Sequence, residues 1–75
     1  MRVQINGETR EFVDDLRLSD LVDELSLPPE RVAIELNKRV VRRNEWPETI
    51  ITEGDRIEIV HFVGGGGQRA VSSKQ

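Results

Sequence analysis

Four consecutive glycines, residues 64–67, are the part of this 75-residue sequence with the clearest potential for chemistry. A backbone without Cβ atoms is thin and conformationally free, so it can enter a narrow tunnel and present its end to the active site of another protein. The same composition is also typical of a flexible linker to a tail. The glycines by themselves leave both interpretations open.

The other chemistry-bearing residues form no catalytic or metal-binding pattern in the sequence. His61 is the only histidine, and no second metal ligand is suitably spaced to join it. The chain has no cysteine, which excludes disulfides, thiolate metal sites and a thiol nucleophile. The basic cluster of Lys38, Arg39, Arg42 and Arg43 lacks interleaved aromatic residues and is more typical of a solvated turn. We therefore predict no catalytic residue, no bound metal and no nucleic-acid partner.

Size and charge favour a binding or carrier module over an enzyme. A chain of this length forms one domain with a thin core and cannot also enclose a pocket of roughly 300 Å³ or more. The formal net charge is −3, and without Arg69 and Lys74, which follow the glycines, nine basic and fourteen acidic residues leave −5. We therefore expect a basic partner. The lack of cysteine, of long apolar stretches and of a signal-peptide pattern predicts a cytoplasmic protein without membrane contact.

Alternating apolar and polar residues predict several short strands. Val3 and Ile5 alternate with polar residues, and the pair Asn6 and Gly7 that follows is a strong signal for a type I′ hairpin turn. Residues 9–13 are then the returning strand. Further strands are predicted at residues 32–37, 40–41 and 56–63, with Trp46 anchoring the irregular segment before the last of them.

One short helix is predicted between the hairpin and the third strand. Apolar residues at positions 18, 21, 22 and 25 recur at a spacing that places them on one helical face. Ser19 is the expected N-cap, and Pro28 and Pro29 prevent the helix from continuing. Two strands, a helix and two or three further strands indicate an α+β protein. The order is that of a β-grasp fold, in which a mixed sheet of four to five strands wraps around one main helix. The pattern alone is also compatible with a ferredoxin-like half or a small barrel.

The last predicted strand carries an apolar strip beside the glycines. Ile57 and Ile59 share one face, which we expect to pack on the helix, whereas Val60 and Phe62 continue the opposite face. Exposed apolar side chains next to a flexible segment are typical of a partner contact. The expected docking residues are Val60, Phe62, Val63 and Gly64.

These residues also carry a resemblance to a known family. The segment at residues 33–41, the Gly54 and Asp55 turn and the His-Phe-Val-Gly-Gly-Gly ending at residues 61–66 resemble the ThiS family of sulfur carriers in thiamin biosynthesis. The resemblance covers residues 1–66, and the ending is its most specific element. It implies a ubiquitin-like β-grasp fold, which agrees with the fold indicated by the strand and helix patterns.

The resemblance implies a carrier cycle in which this chain is not the enzyme. A ThiF-like adenylyltransferase would use ATP to convert the carboxylate of a C-terminal glycine to an acyl-adenylate. A sulfur donor of the cysteine desulfurase type would convert that group to a thiocarboxylate, and a ThiG-like thiazole synthase would take the sulfur for thiazole formation. The sulfur-carrying terminus would be Gly65 and Gly66, or alternatively Gly67, and the chain would bind no cofactor.

The C-terminal extension departs from the family pattern, because members of the family usually end at the glycines. We expect a β-grasp domain at residues 1–63, a flexible glycine arm at 64–67 and a disordered extension at 68–75, which a processing protease removes. An extension foreign to the natural protein and a relative that has lost the carrier role are the alternatives. The alternative functions are the small subunit of molybdopterin synthase and a non-carrier, ubiquitin-like interaction module.

Overall fold

The computed structural model describes residues 1–62 and 70–72, and its first two strands form the predicted hairpin. β1 (Arg2–Ile5) and β2 (Glu8–Glu11) are antiparallel. Asn6 and Gly7 between them have φ angles of 50° and 86°, and a type I′ turn requires positive φ at both positions. The hairpin prediction is therefore confirmed, with a returning strand that begins one residue earlier than expected.

The helix, α1 (Leu18–Glu24), also forms where the apolar spacing predicts it, but its N-terminus differs. The prediction of Ser19 as N-cap is wrong, because the helix begins at Leu18 and Arg17 occupies the N-cap position. Arg17 pairs with Ile50 in an isolated antiparallel bridge, so a tertiary contact sets where the helix begins. The Arg17 backbone N–H donates to Oδ2 of Asp20 at 3.1 Å, which gives the first turn a capping carboxylate.

The remaining strands complete a mixed sheet in which β5 is central. The five main strands lie in the order β2-β1-β5-β3-β4, and β1 and β5 form the parallel pair. The other neighbours in this order are antiparallel. The elements after α1 are a 3₁₀ helix at Pro29–Arg31, β3 (Val32–Leu36), β4 (Arg39–Val41), a second 3₁₀ helix at Arg43–Glu48, β5 (Arg56–Phe62) and β6 (Ala70–Ser72).

One face of the sheet packs against α1 and the second 3₁₀ helix to form the core. Trp46 is 3% exposed, and its Nε1–H donates to the carbonyl of Val41 at 3.0 Å. It anchors the segment before β5, as the sequence predicts. The buried apolar residues are Val3, Ile5, Leu16, Leu18, Leu21, Val22, Val32, Ile34, Trp46, Ile51, Ile57 and Ile59.

The C-terminal extension contains a strand, which the sequence did not predict. β6 pairs antiparallel with the end of β5, and His61 lies opposite Val71. The expectation of disorder therefore does not hold for residues 70–72. Three residues are too few to show an alternating pattern, and the pairing depends on a sheet edge that only the folded domain offers. The predicted glycine arm at residues 64–67 lies outside the described residues.

Within the part of the chain that the structure describes, no helix has the length and apolar character required to cross a membrane.

Candidate functional site

The face of the sheet turned away from α1 is the candidate site. Successive residues of a strand point to opposite sides, so burial of Ile57 and Ile59 in the core places the alternate residues of β5 on the other side. The cross-strand register extends this surface to the neighbouring strands. We call it the helix-free face; it comprises Gln4, Ala33, Glu35, Val40, Arg56, Glu58, Val60 and Phe62.

The apolar strip predicted on β5 lies on this face. Phe62 is 43% exposed and Val60 is half-buried. A large aromatic side chain that is partly exposed at the end of a strand is available for a partner contact, because its further burial would be favourable. The other two expected docking residues, Val63 and Gly64, lie outside the described residues.

Neighbouring strands add residues that the sequence patterns did not connect with the site. Val60 lies opposite Ala33, and Glu58 lies opposite Glu35. β4 lies on the other side of β3 and places Val40 opposite Glu35; Val40 is 72% exposed. The helix-free face therefore combines apolar side chains with two adjacent carboxylates. Only the pairing register brings these residues together; the sequence signal was limited to the alternation within each strand.

An open groove of about 530 Å³ runs along this face. The groove presents charges of both signs beside an apolar residue, which suits contact with a protein surface. Its lining residues are Glu35, Lys38, Arg56, Glu58 and Val60.

Asn6 holds β5 in place at the border of the site. Its side-chain Nδ2 donates to the carbonyl of Ile59 at 3.2 Å, and the backbone N–H of Ile59 donates to its Oδ1 at 2.8 Å. An amide side chain can donate and accept at once, so it imitates the backbone of a further strand residue. The sequence pattern predicts Asn6 as a turn residue only. The Asn-Gly pair signals a turn but carries no information about a partner 53 residues away.

The remaining candidates do not assemble into a chemical centre. His61 is half-buried and lies opposite Val32 on β3. Lys38, Arg42 and Arg43 are exposed, and Arg43 begins the second 3₁₀ helix rather than a turn. Among the described residues, no group of three or more histidine, aspartate or glutamate side chains is arranged to hold a metal ion.

The strand order and the position of the helix define the class of this protein. A mixed sheet in the order β2-β1-β5-β3-β4, with its central parallel pair and one α-helix across one face, is a ubiquitin-like β-grasp fold. The family model described as the ThiS family matches residues 3–66. The chain belongs to the ThiS family.

Individual relatives agree with this assignment. The chain is 35% identical over 65 residues to the sulfur carrier protein ThiS of Bacillus subtilis, and the match covers 85% of this chain and 98% of the relative. The crystal structure of the thiamine biosynthesis protein ThiS from Geobacter metallireducens superposes with a TM-score of 0.78 at 30% identity. The superposition covers 88% of this chain and 100% of the Geobacter metallireducens chain.

Two longer relatives bear a different name. The chain is 36% identical to a thiazole synthase of Paramagnetospirillum magneticum over 72 residues and 41% identical to one of Magnetococcus marinus over 66 residues. These matches cover 96% and 88% of this chain but only 22% and 20% of the relatives. The chain thus spans about a fifth of their length. Because the first match takes in all but three of the 75 residues, it extends beyond Gly66 into the C-terminal extension.

Proposed function

We propose that this chain is the sulfur carrier of thiazole formation, with a C-terminal glycine as the site that bears the sulfur. The match of the ThiS family model through Gly66 carries this proposal, because it includes the domain together with the first three glycines. The exposed apolar end of β5 supports it, since a docking surface next to the glycines would position them at a partner enzyme. The domain would act in the cytoplasm and would need no catalytic side chain of its own.

The chemistry proceeds in steps that the partners catalyse. The carboxylate of Gly66 attacks the α-phosphate of ATP, which yields an acyl-adenylate and pyrophosphate. The terminal sulfur of a persulfide on the donor then displaces AMP, and a second thiol reduces the resulting acyl disulfide to release the thiocarboxylate. Adenylation is needed because a free carboxylate is a poor electrophile, whereas AMP is a good leaving group. The ThiG-like synthase accepts the sulfur from this tethered nucleophile.

The extension must be removed before this chemistry begins. In the 75-residue chain the carbonyl of Gly66 belongs to an amide, and an amide has no carboxylate oxygen with which to attack ATP. A processing protease that cleaves after Gly66 would create the required terminus. The match with the Paramagnetospirillum magneticum relative, which extends past Gly66, favours an extension that belongs to the natural protein.

Mass spectrometry of the reacted chain tests the proposal. The 75-residue chain and versions ending at Gly65, Gly66 and Gly67 are incubated with ATP, a sulfide source and the ThiF-like enzyme. We expect only the version ending at Gly66 to gain the mass difference of sulfur for oxygen at an appreciable rate. The chain ending at Gly65 is the matched control. It has the same domain and also ends in a glycine carboxylate, but its glycine segment is one residue shorter.

Three outcomes would contradict the proposal. If none of the shortened chains accepts sulfur, the glycines are a linker and the domain is an interaction module. If the 75-residue chain purified from its native host under thiamin starvation retains Gln75 throughout, processing does not occur. Transfer to a pterin precursor instead of a thiazole precursor would assign the chain to molybdopterin synthesis.

A further inference from the structure

One edge of β5 has two successive partners: β1 at its beginning and β6 at its end. β1 pairs with β5 only at Arg56 and Ile57. The hairpin turn then leads the chain away, and the side chain of Asn6 bonds both backbone groups of Ile59. The described contacts of β1 and its turn with β5 thus run from Arg56 to Ile59, and β6 pairs with β5 from Val60 to Phe62. A separate stretch of sheet edge therefore begins at Val60.

His61 is the residue whose backbone groups face this stretch. The N–H and C=O groups of successive residues in a strand point alternately to its two edges. The carbonyl of Ile57 accepts a hydrogen bond from the backbone N–H of Asn6 at 2.9 Å, and Ile59 bonds the Asn6 side chain. Both contacts lie on the β1 edge. By the same alternation the N–H and C=O of His61 point to that edge.

The chain's own β6 occupies this stretch. Its antiparallel register places Val71 opposite His61, with Ser72 opposite Val60 and Ala70 opposite Phe62. Since His61 faces this edge, Val71 is the residue of β6 whose backbone groups face β5. An extended segment thus fits the edge through main-chain hydrogen bonds, which is the basis of recognition by strand addition.

We propose that the edge of β5 at His61 is a strand-addition site for the adenylating partner, and that β6 occupies it until the extension is removed. The inference rests on the proposed carrier function. The partner contributes an extended segment antiparallel to β5. This segment adjoins the helix-free face, because Val60 and Phe62 flank His61 on the same strand. A single partner can therefore bind the edge and the face together.

Charge favours a partner enzyme over a second copy of this chain. Two chains that end at Gly66 would each carry a formal charge of −5 and would repel each other across a shared edge. A partner with a basic surface gains from the same charge. While the extension is attached, β6 is tethered to the domain and competes at high effective concentration. The apparent affinity of the partner is then the intrinsic affinity multiplied by the fraction of chains in which the edge is open.

Proline substitutions in the 75-residue chain test this inference. Val71→Pro removes the backbone N–H that faces His61, whereas Ser72→Pro removes one that points away from β5. We expect Val71→Pro to bind the ThiF-like enzyme about three- to tenfold more tightly than the unaltered chain, the equivalent of about one backbone hydrogen bond. Ser72→Pro should bind like the unaltered chain. Hydrogen exchange of the His61 amide should accelerate by a similar factor in Val71→Pro alone.

The outcomes separate this inference from the proposed function. Equal affinities for all three chains, together with sulfur uptake by the chain ending at Gly66, would overturn the strand-addition site and leave the carrier function standing. Absence of sulfur uptake by the chain ending at Gly66 would overturn the carrier function itself. Dimerisation of Val71→Pro without tighter binding of the enzyme would assign the edge to a second copy and would also overturn the inference.

Discussion

At the scale of single residues, Asn6 serves the turn and the sheet together. Its φ of 50° meets the requirement of the hairpin turn, and asparagine adopts positive φ more readily than most residues. Its side-chain amide then bonds both backbone groups of Ile59 on a strand that is distant in sequence. The first role follows from the Asn-Gly pair. The second depends on β5 lying beside β1, which the sequence does not state.

Substitution of Asn6 by glycine separates these two roles. Glycine tolerates the positive φ, so the turn keeps its conformation, but both hydrogen bonds to Ile59 are lost. We expect the free energy of unfolding in urea to fall by about 1–3 kcal/mol, because the partly buried backbone groups of Ile59 lose these partners.

Asn37→Gly is the matched control for this prediction. Asn37 also has positive φ, at 53°, and its side chain bonds Asp55 and the backbone N–H of Arg56. Asn37 is exposed, so water can replace those bonds. Its substitution should lower the free energy of unfolding clearly less than that of Asn6. Equal losses in the two variants would show that the partly buried bonds to Ile59 stabilise the fold no more than the exposed bonds of Asn37.

At the scale of elements, β5 separates a buried face from an exposed one. Ile57 and Ile59 are 1% and 2% exposed in the core, whereas Phe62 on the opposite face is 43% exposed. The period of two predicted this division correctly, since it follows from strand geometry alone. The presence of Glu35 and Val40 beside the strip required the register of three strands. A register of this kind is set by packing and turn geometry and cannot be derived from one strand.

Truncation of Phe62 tests the docking role of this face. Phe62→Ala should lower the free energy of unfolding by no more than about 1–2 kcal/mol, because Phe62 is already 43% exposed in the folded domain. It should weaken binding of the ThiF-like enzyme by about fivefold or more, as measured by calorimetry on the chain ending at Gly66.

A second exposed apolar residue provides the control for this measurement. Val13 follows β2, lies outside the helix-free face and is 70% exposed. Val13→Ala should leave both stability and binding unchanged. A large loss of stability in Phe62→Ala with unaltered binding would place Phe62 in the core and reject its role in docking.

At the scale of the whole molecule, the extension alters the electrostatic character of the protein. Arg69 and Lys74 both lie after Gly66, so their removal changes the formal net charge from −3 to −5. The domain has principal extents of only 37 × 24 × 22 Å, comparable to the Debye length of about 30 Å at 0.01 M salt. At low salt the charges of the domain therefore act nearly together on an approaching partner.

The salt dependence of association should report this change. We expect the association rate constant with the ThiF-like enzyme, measured by stopped flow, to fall as salt is raised, and to fall more steeply for the chain ending at Gly66 than for the 75-residue chain. The 75-residue chain with Arg69→Gln and Lys74→Gln should show the steeper dependence while retaining the extension. A salt dependence that is the same for all three chains would exclude a basic partner surface as the cause.

The sequence by itself determined the main strands and the helix of this protein and identified the glycine run. The alternation in β5, the Asn-Gly turn and the helical spacing before the prolines are local patterns, and the glycine run is recognisable without a fold. The tertiary structure decided where these elements meet: the helix began at a bridge with Ile50, Asn6 bonded Ile59, and residues 70–72 paired with β5. The physical reason is that each of these contacts uses backbone groups of one element to bind another element of the chain. Such groups have the same chemistry in every residue, so only the assembled sheet shows which edge is open and what occupies it.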